Sequence, residues 1–584
     1  MPPRDRSNAA SRACDQVPVR IRRVAGDAGP VRDLGALLRR LYASRGDPES
    51  PPAGLGELLP GAAMLGIERA SALLADCIDG RGRIVVVGDF DADGATGSAV
   101  AILGLRALGA VAVEHLTPSR FKHGYGLSPA VVDAAVACKP DLLITVDNGI
   151  GSIAGVEHAA ARGIPVLVTD HHLPGARLPE AAAIVNPNQP GCLFPSKHIA
   201  GVGVLFYLLA ATRAELRRRG RFAAGQEPNL AQLLDLVALG TVADVVTLDR
   251  NNRILVEQGL RRIRAGRCRP GLRALLEIAG CRLERVTARD LGFAAGPRLN
   301  AAGRLDDMSL GVECLVTDDP VRAMHLARQL HGLNGERRDI EFTMRDQAEA
   351  LVERLAAEGG ELPAALCLCG DDWHQGVIGI VAARVRERWH RPVIAFADGG
   401  GGMLRGSARS VDGLHIRDLI DAVDKRHPGL IERFGGHAMA AGLTVARDAL
   451  DAFRATFVEE IQRELGTAPP VRELLSDGEL PAPMLNLDTA ETLRLAGPWG
   501  KGFAEPLFDG VFDVGEVRIA AERHLKLRIR ASDGRPIEAI GFNLAEQRGA
   551  VGQRMHLAYR LDVNDYRGLR APQLIVEHLQ PPEG

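Results

Sequence analysis

The chain has 584 residues, too many for one compact core; at roughly 150 residues per domain, about three or four domains are expected. Hydrophobic residues make up 46% and charged residues 25%, which excludes a mainly disordered or fibrous protein. A formal net charge of −2 excludes a polycationic nucleic-acid coat but leaves room for a local basic groove.

Residues 1–80 are rich in Arg, Pro and Gly, with helical stretches at Val31–Tyr42 and Leu65–Cys77, and read as an extension packed on the domain after it. From Arg83 the pattern changes. RIVVV is a short β-branched apolar run, the mark of a parallel strand buried on both faces. Further apolar runs (VAVEHL, DLLITV, IPVLVT, with AAAIVNP as an additional candidate) alternate with helical stretches of 10–15 residues, which predicts a doubly wound parallel sheet. Gly201 to Ala279 reads as mainly helical. Residues 320–358 form one long polar helical pattern, suited to bridging two domains. A second, smaller α/β segment starts at Ala365 and runs to about Gly466. Beyond 470, short alternating strands separated by turn signals predict a small OB-like barrel.

The nine cysteines include no CxxC pair, which argues against a zinc ribbon or a disulfide framework. The N-terminus has no apolar core of a secretory signal, and no run of about 18 apolar residues predicts a membrane span, so a reducing cytoplasm is expected.

Three predicted strands end in acidic or imidazole residues. RIVVV leads into Asp89, Asp91 and Asp93; LLITV into Asp147; VLVT into Asp170, His171 and His172. One such Asp is usually an N-cap or a turn residue. Together they differ, because right-handed crossovers bring all carboxyl ends of a parallel sheet to one edge, where open α/β sheets bind ligands. Carboxylates crowded there repel each other and raise one another's pKa. Mixed Asp and His ligands suit Mn²⁺ or Mg²⁺, and two such ions about 4 Å apart activate water for phosphoryl displacement. Asp244, after the apolar stretch LAQLLDLVALGTVA, adds a carboxylate that needs a partner.

GDFDADG, TVDNGI, TDHH and ALGTVADVV, in this order, resemble motifs I to IV of the DHH phosphoesterases. GPRLNAAGRLDD, PSRFKHGYG, SARSVDGLHI, FGGHAMAAGL, PWGKGFAEPLF and NDYRG are similar to the RecJ branch of that family, over about residues 80 to 584. The resemblance implies a 5′→3′ exonuclease that degrades single-stranded DNA to 5′-mononucleotides with two Mn²⁺ or Mg²⁺ ions, in recombination and repair. It implies an N-terminal extension (1–80), a DHH catalytic domain (81–319), a connecting helix (320–360), a DHHA1 domain (361–468) and an OB domain (469–584). Carried over by motif, the metal ligands are Asp91, Asp93, Asp147, His171 and Asp244, with Asp89 as a direct or supporting member. His172 would stand by the scissile phosphate, with Asp147 and Asp93 as its catalytic companions. The pyrophosphatase branch has a His where this chain has Val87, which disfavours that branch.

Candidate phosphate groups are Arg120, Arg298, Arg304, Ser407, Arg409, Gly436 and His437; Asn300 would orient an arginine or bond a phosphate oxygen. Glycines, a hydroxyl, Arg and His are what a phosphate pocket needs. With only six lysines among 71 basic residues, a single arginine is weak evidence by itself. The basic stretches at 213–221 and 261–273 are either solvated helix faces or DNA contacts. Arg523, Lys526, Arg528 and Arg530 in the barrel suit a phosphate backbone, while aromatics for stacking are few (Phe542, Tyr559, Tyr566). Single-strand-binding protein and a helicase are the protein partners the family implies, with no membrane and a monomeric chain. Two rival readings are a phosphodiesterase of short oligonucleotides or cyclic dinucleotides, and a non-catalytic DNA-binding scaffold. The barrel and GPRLNAAGR argue against the first, the intact motifs against the second.

Overall fold

The computed structural model describes residues 19–24, 31–47, 54–118, 126–223, 225–359, 362–465, 472–565 and 569–582. The chain divides into two compact units, residues 1–22 with 335–475 and residues 23–334 with 476–584. Strand β1 (Val19–Arg23) pairs with β12 (Arg472–Ser476).

The larger unit holds a five-stranded sheet of β2 (Arg83–Gly88), β3 (Ala112–Leu116), β4 (Leu142–Val146), β5 (Val166–Thr169) and β6 (Ala183–Val185). Its order is β3-β2-β4-β5-β6 and every pairing is parallel. The run RIVVV is apolar throughout because both faces are covered: Ile84 and Val86 enter one core, Val85 and Val87 the other. The chain leaves β2 for β3 on one side and returns to β4 on the other, so the switch point lies between β2 and β4. Gly88, Val146, Thr169 and Val185 share one row of the register. The next residues, Asp89, Asp147, Asp170 and Asn186, therefore line the same edge.

The smaller unit holds β7 (Leu366–Cys369), β8 (Val393–Gly400), β9 (Met403–Arg409), β10 (Arg433–Gly436) and β11 (Ala440–Ala446) in the order β10-β11-β9-β8-β7. Only β7 and β8 run parallel. Cys367 and Cys369 share one side of β7, opposite buried Leu366 and Leu368. The long helix is continuous from Pro320 to Gly359, and the division between units falls within it at Gly335.

The C-terminal strands β13 (Phe508–Ala520), β14 (His524–Arg530), β15 (Pro536–Gly541), β16 (Arg554–Asn564) and β17 (Ala571–Gln580) close a barrel in the order β13-β14-β15-β17-β16. The helix Leu34–Ser44 gives Leu37 and Leu41 to the barrel core and Tyr42 to the core of the parallel sheet. Tyr42 stacks on Trp499 and Phe503, and the buried guanidinium of Arg253 lies 3.9 Å from the Phe503 ring centroid. Tyr559 is buried in the barrel, so it cannot stack on a base; Phe542 is exposed, and Tyr566 lies outside the described residues. Among the described residues no single helix is long and apolar enough to cross a membrane.

Buried Asp509 on β13 accepts from Arg23 Nη2 (2.7 Å) and Ser476 Oγ and meets His556 Nε2 (2.9 Å). Burial alone would push its carboxyl up, but these bonds hold it well below the ordinary carboxylate range. A depressed folded-state pKa stabilises above the unfolded value of about 3.9, and that stabilisation is lost as the pH falls below it. Asp509→Asn should therefore cost about 1–2 kcal/mol at pH 7. Melting curves should show the Tm gap to the parent chain closing as the pH is lowered towards 3; a gap independent of pH would contradict this.

Candidate metal centre

The motif GDFDADG places three carboxylates within five residues by turning from β2 into the helix Ala92–Ala107. Asp89 Oδ1 accepts the Phe90 N–H (2.8 Å). Asp91 caps the helix, its Oδ1 accepting the Gly94 N–H (3.0 Å). Asp93, fully buried, accepts N–H groups of Gly201 (2.6 Å) and Val202 (3.0 Å) at the start of the helix Gly201–Arg218.

Asp147 follows β4 with φ +63°, a conformation that Asp tolerates better than most residues. The Asn148 amide donates to Val87 O and Val146 O (both 3.0 Å), tying together the ends of β2 and β4. Asp170 is buried after β5; one of its oxygens accepts the N–H groups of His171 (2.7 Å) and His172 (3.1 Å) and lies 2.8 Å from His172 Nδ1. Asn186 and Asn188 donate to the carbonyls of His172 (3.0 Å) and His171 (2.6 Å). Asp244 ends the apolar helix Leu234–Ala243.

These groups converge. His171 Nε2 lies 3.0 Å from Asp147 Oδ1 and 3.5 Å from Asp244 Oδ2. Three overlapping sets keep their ligand atoms within 4.8 Å of one another: Asp89, Asp91 and Asp147; Asp147, His171 and His172; Asp93, His171 and Asp244. Asp147 and His171 each belong to two sets, the arrangement expected of groups shared between neighbouring ions.

The electrostatics fit a cationic occupant. Burial and then the charge of Asp91 push Asp93 up to about 7, against the two N–H donors. Burial, with the charges of Asp93 and Asp91, raises Asp147 and Asp244 well above the ordinary range. Burial alone would lower His172, but the bond and charge of Asp170 raise it to about 9. So many oxygen donors in so little solvent, with imidazole beside them, match the ligand preference of Mn²⁺ or Mg²⁺.

The helix Gly296–Leu305 braces this cluster. Asn300 Oδ1 accepts the Ala92 N–H (2.8 Å), and Gly303 packs against the Phe90 carbonyl. Asn300 thus gives its acceptor oxygen to the turn that carries Asp89, Asp91 and Asp93. Arg298 bonds His331 Nδ1 (3.2 Å) and Ala294 O (2.6 Å); Arg304 is half-buried on the same helix. Arg120 lies outside the described residues.

In the smaller unit, Arg409 Nη1 donates to Ser407 Oγ (3.0 Å) and Ala408 O (2.8 Å). The helix Ile378–Trp389 sits over this pair, so closely that a Cβ on Gly379 would lie 2.8 Å from both side chains. Gly436 (φ +148°) and His437 form the β10–β11 turn, whose Ala440 pairs with Arg409 across the ladder.

The basic stretches read mainly as structural. Arg219 bridges Asp76, Asp79 and Glu215; Arg221 pairs with Asp79, Arg261 and Arg264 with Glu257, and Arg269 with Asp318. Asn186, Asn188 and Gly201 carry no local signal of a site role in the sequence; Asp170 is visible there as a strand-end carboxylate, but its bonds to the two histidines are not.

Gly201 touches two carboxylates at once: its N–H serves Asp93, and an added Cβ would lie 2.6 Å from Asp147 Cβ. Gly201→Ala should lower Mn²⁺ affinity by about 10- to 100-fold, the loss that follows when an outer partner of a metal ligand is disturbed. Calorimetric titration with Mn²⁺ checks this; unchanged affinity in the folded variant would show that the contact does not govern ligand placement.

Family profiles match the DHH family N-terminal domain at residues 83–241, the DHHA1 domain at 359–463 and the RecJ OB domain at 476–578. The single-stranded-DNA-specific exonuclease RecJ of Dickeya dadantii (strain 3937) is 53% identical over 556 residues, 94% of this chain and 96% of that one. Its namesake in Escherichia coli (strain K12) is 50% identical over 97% of this chain and 99% of its own. The crystal structure of RecJ in complex with Mn²⁺ from Thermus thermophilus superposes with a TM-score of 0.78 at 31% identity, covering 97% of this chain and 80% of that one. At such identity over nearly the whole length, with all three domain profiles in order, the chain belongs to the RecJ family of DHH phosphoesterases.

Proposed function

We propose that the chain is a metal-dependent exonuclease that degrades single-stranded DNA from 5′ to 3′ and releases 5′-mononucleotides, in recombination and repair. The observation that carries this reading is the convergence of Asp89, Asp91, Asp93, Asp147, Asp244 and His171 at one sheet edge in a chain of this family. Two Mn²⁺ or Mg²⁺ ions held there would supply an activated water and neutralise charge on the phosphodiester.

The remaining work falls to the chain. Asp170 fixes His172 through Nδ1, which leaves the other ring nitrogen to meet the leaving oxygen. Arg298, Arg304 and Arg120 supply charge for strand phosphates, as does Arg409 in the smaller unit, where Ser407, Gly436 and His437 complete the phosphate pocket. The outward side chains of Arg528 and Arg530 on β14 give the barrel a basic surface for a longer strand, while Lys526 is engaged by Glu538 (3.2 Å). The enzyme would act as a monomer in the cytoplasm, alongside a helicase and single-strand-binding protein.

The direct test follows 5′- and 3′-labelled single strands, with duplex as control, in Mn²⁺ and in chelator. Mononucleotides should come first from the 5′ end of the single strand, and only with metal. Asp147→Ala should cut turnover by well over about 100-fold, more than disturbing an outer partner would, while strand binding survives. A variant that keeps a tenth of normal turnover would contradict shared use of Asp147 by two ions.

A further inference from the structure

The basic stretch 261–273 is not wholly spent on ion pairs. Arg261 and Arg264 meet Glu257, and Arg269 meets Asp318, whereas Arg262 and Arg267 form no salt bridge among the described residues. Arg262 Nε is buried without a hydrogen-bond partner, and its Nη2 donates to the carbonyl of Arg267 (3.1 Å). The loop between them is firmly built. Arg273 Nη2 donates to Gly266 O (2.6 Å), and the buried carboxylate of Asp235 accepts the N–H groups of Arg269 (2.7 Å) and Leu236 (3.0 Å).

These two arginines border a cavity of about 370 Å³, a volume within the range of small-molecule sites. Its apolar lining is Leu103, Ala107, Leu230, Leu233 and Pro270. Two amides complete it. Asn229 Oδ1 accepts the Ala231 N–H (3.1 Å), which leaves its Nδ2 for a ligand, and Gln232 is exposed beside it. The cavity stands apart from the candidate metal centre. Leu103 lies on the helix Ala92–Ala107, about 18 Å along it from its N-cap Asp91, and Leu233 precedes Asp244 by about 16 Å of helix. That first helix runs back from the carboxyl end of β2 towards the amino end of β3, so the cavity lies towards the edge of the sheet opposite the clustered carboxylates.

We propose that this cavity binds a nucleoside monophosphate, with the phosphate between Arg262 and Arg267, the base over Leu230 and Leu233, and Asn229 and Gln232 at the polar edge of the base. The chemistry selects that class. A terminal phosphate carries close to two negative charges and matches the planar fork of a guanidinium. An apolar floor suits a ring face, and side-chain amides can donate to and accept from a base edge. Two sources share this chemistry, a deoxynucleotide released by the chain itself and a free ribonucleotide. The site stands on the cavity and its side chains and does not depend on the exonuclease reading.

The test is calorimetric titration of the full chain in chelator, carrying Arg409→Ala so that the phosphate groups of the smaller unit contribute little. Deoxyadenosine monophosphate should bind one to one, at least about 10-fold more tightly than inorganic phosphate or deoxyadenosine, each of which offers only part of the contacts. Arg267→Glu, at an exposed position, and Arg262→Gln should each weaken the nucleotide by at least about 10-fold, the effect of losing one bond to a charged group. Equal affinity in Arg267→Glu and its parent would overturn the proposal, as would no binding, or inorganic phosphate binding as tightly as the nucleotide. Adenosine monophosphate separates the sources: a preference of about 10-fold for the deoxy form assigns the site to the product of the chain, and equal or tighter binding of the ribose form assigns it to free nucleotides.

Discussion

Like charges do not share a dry pocket unless something of opposite sign joins them. The parallel register sets Asp89, Asp147 and Asp170 side by side, the helix Ala92–Ala107 adds Asp91 and Asp93, and the helix Leu234–Ala243 adds Asp244. Such a group opposes folding, and the surroundings are built to keep it together nonetheless. Backbone N–H groups face Asp93 and Asp170, Asn148 ties β2 to β4, and Asn300 and Gly303 press the first motif into place. A cation turns this arrangement from a cost into a binding site.

The division of labour follows from that constraint. The candidate metal ligands come from strand ends and helix ends of one layer, where backbone geometry sets their spacing. Groups suited to phosphates sit elsewhere: arginines on the bracing helix, the Ser407–Arg409 pair under a helix N-terminus, and the outward face of β14 in the barrel. The barrel and the parallel sheet share the helix Leu34–Ser44, which feeds side chains to both cores. Burying Arg253 against Phe503 fastens the loop that carries Lys501 to the same scaffold.

Much of this was legible in the sequence where the signal is local. A strand buried on both faces reads as an unbroken apolar run, so the sheet and the acidic residues ending its strands could be seen. The 320–358 helical pattern lies within the observed helix Pro320–Gly359. What was not legible depends on partners distant in the chain. Asn300 bonds a backbone group 208 positions away, and no local pattern says so. Tyr559 looks like any strand aromatic until the closed barrel turns it inward. The arginines of 213–221 and 261–273 look free in one dimension and are mostly bound to carboxylates in three. Asp170 was visible as a strand-end carboxylate, but its task of aiming two histidines emerges only from hydrogen bonds.

The central claim is that these carboxylates are held together in order to share two cations. Crystals of the chain grown with Mn²⁺, measured at the manganese edge, test it most directly. The account predicts two anomalous peaks about 4 Å apart, with Asp147 between them and Asp93, His171 and Asp244 around one of the pair. A single peak, or peaks away from the β2–β4 edge, would contradict it.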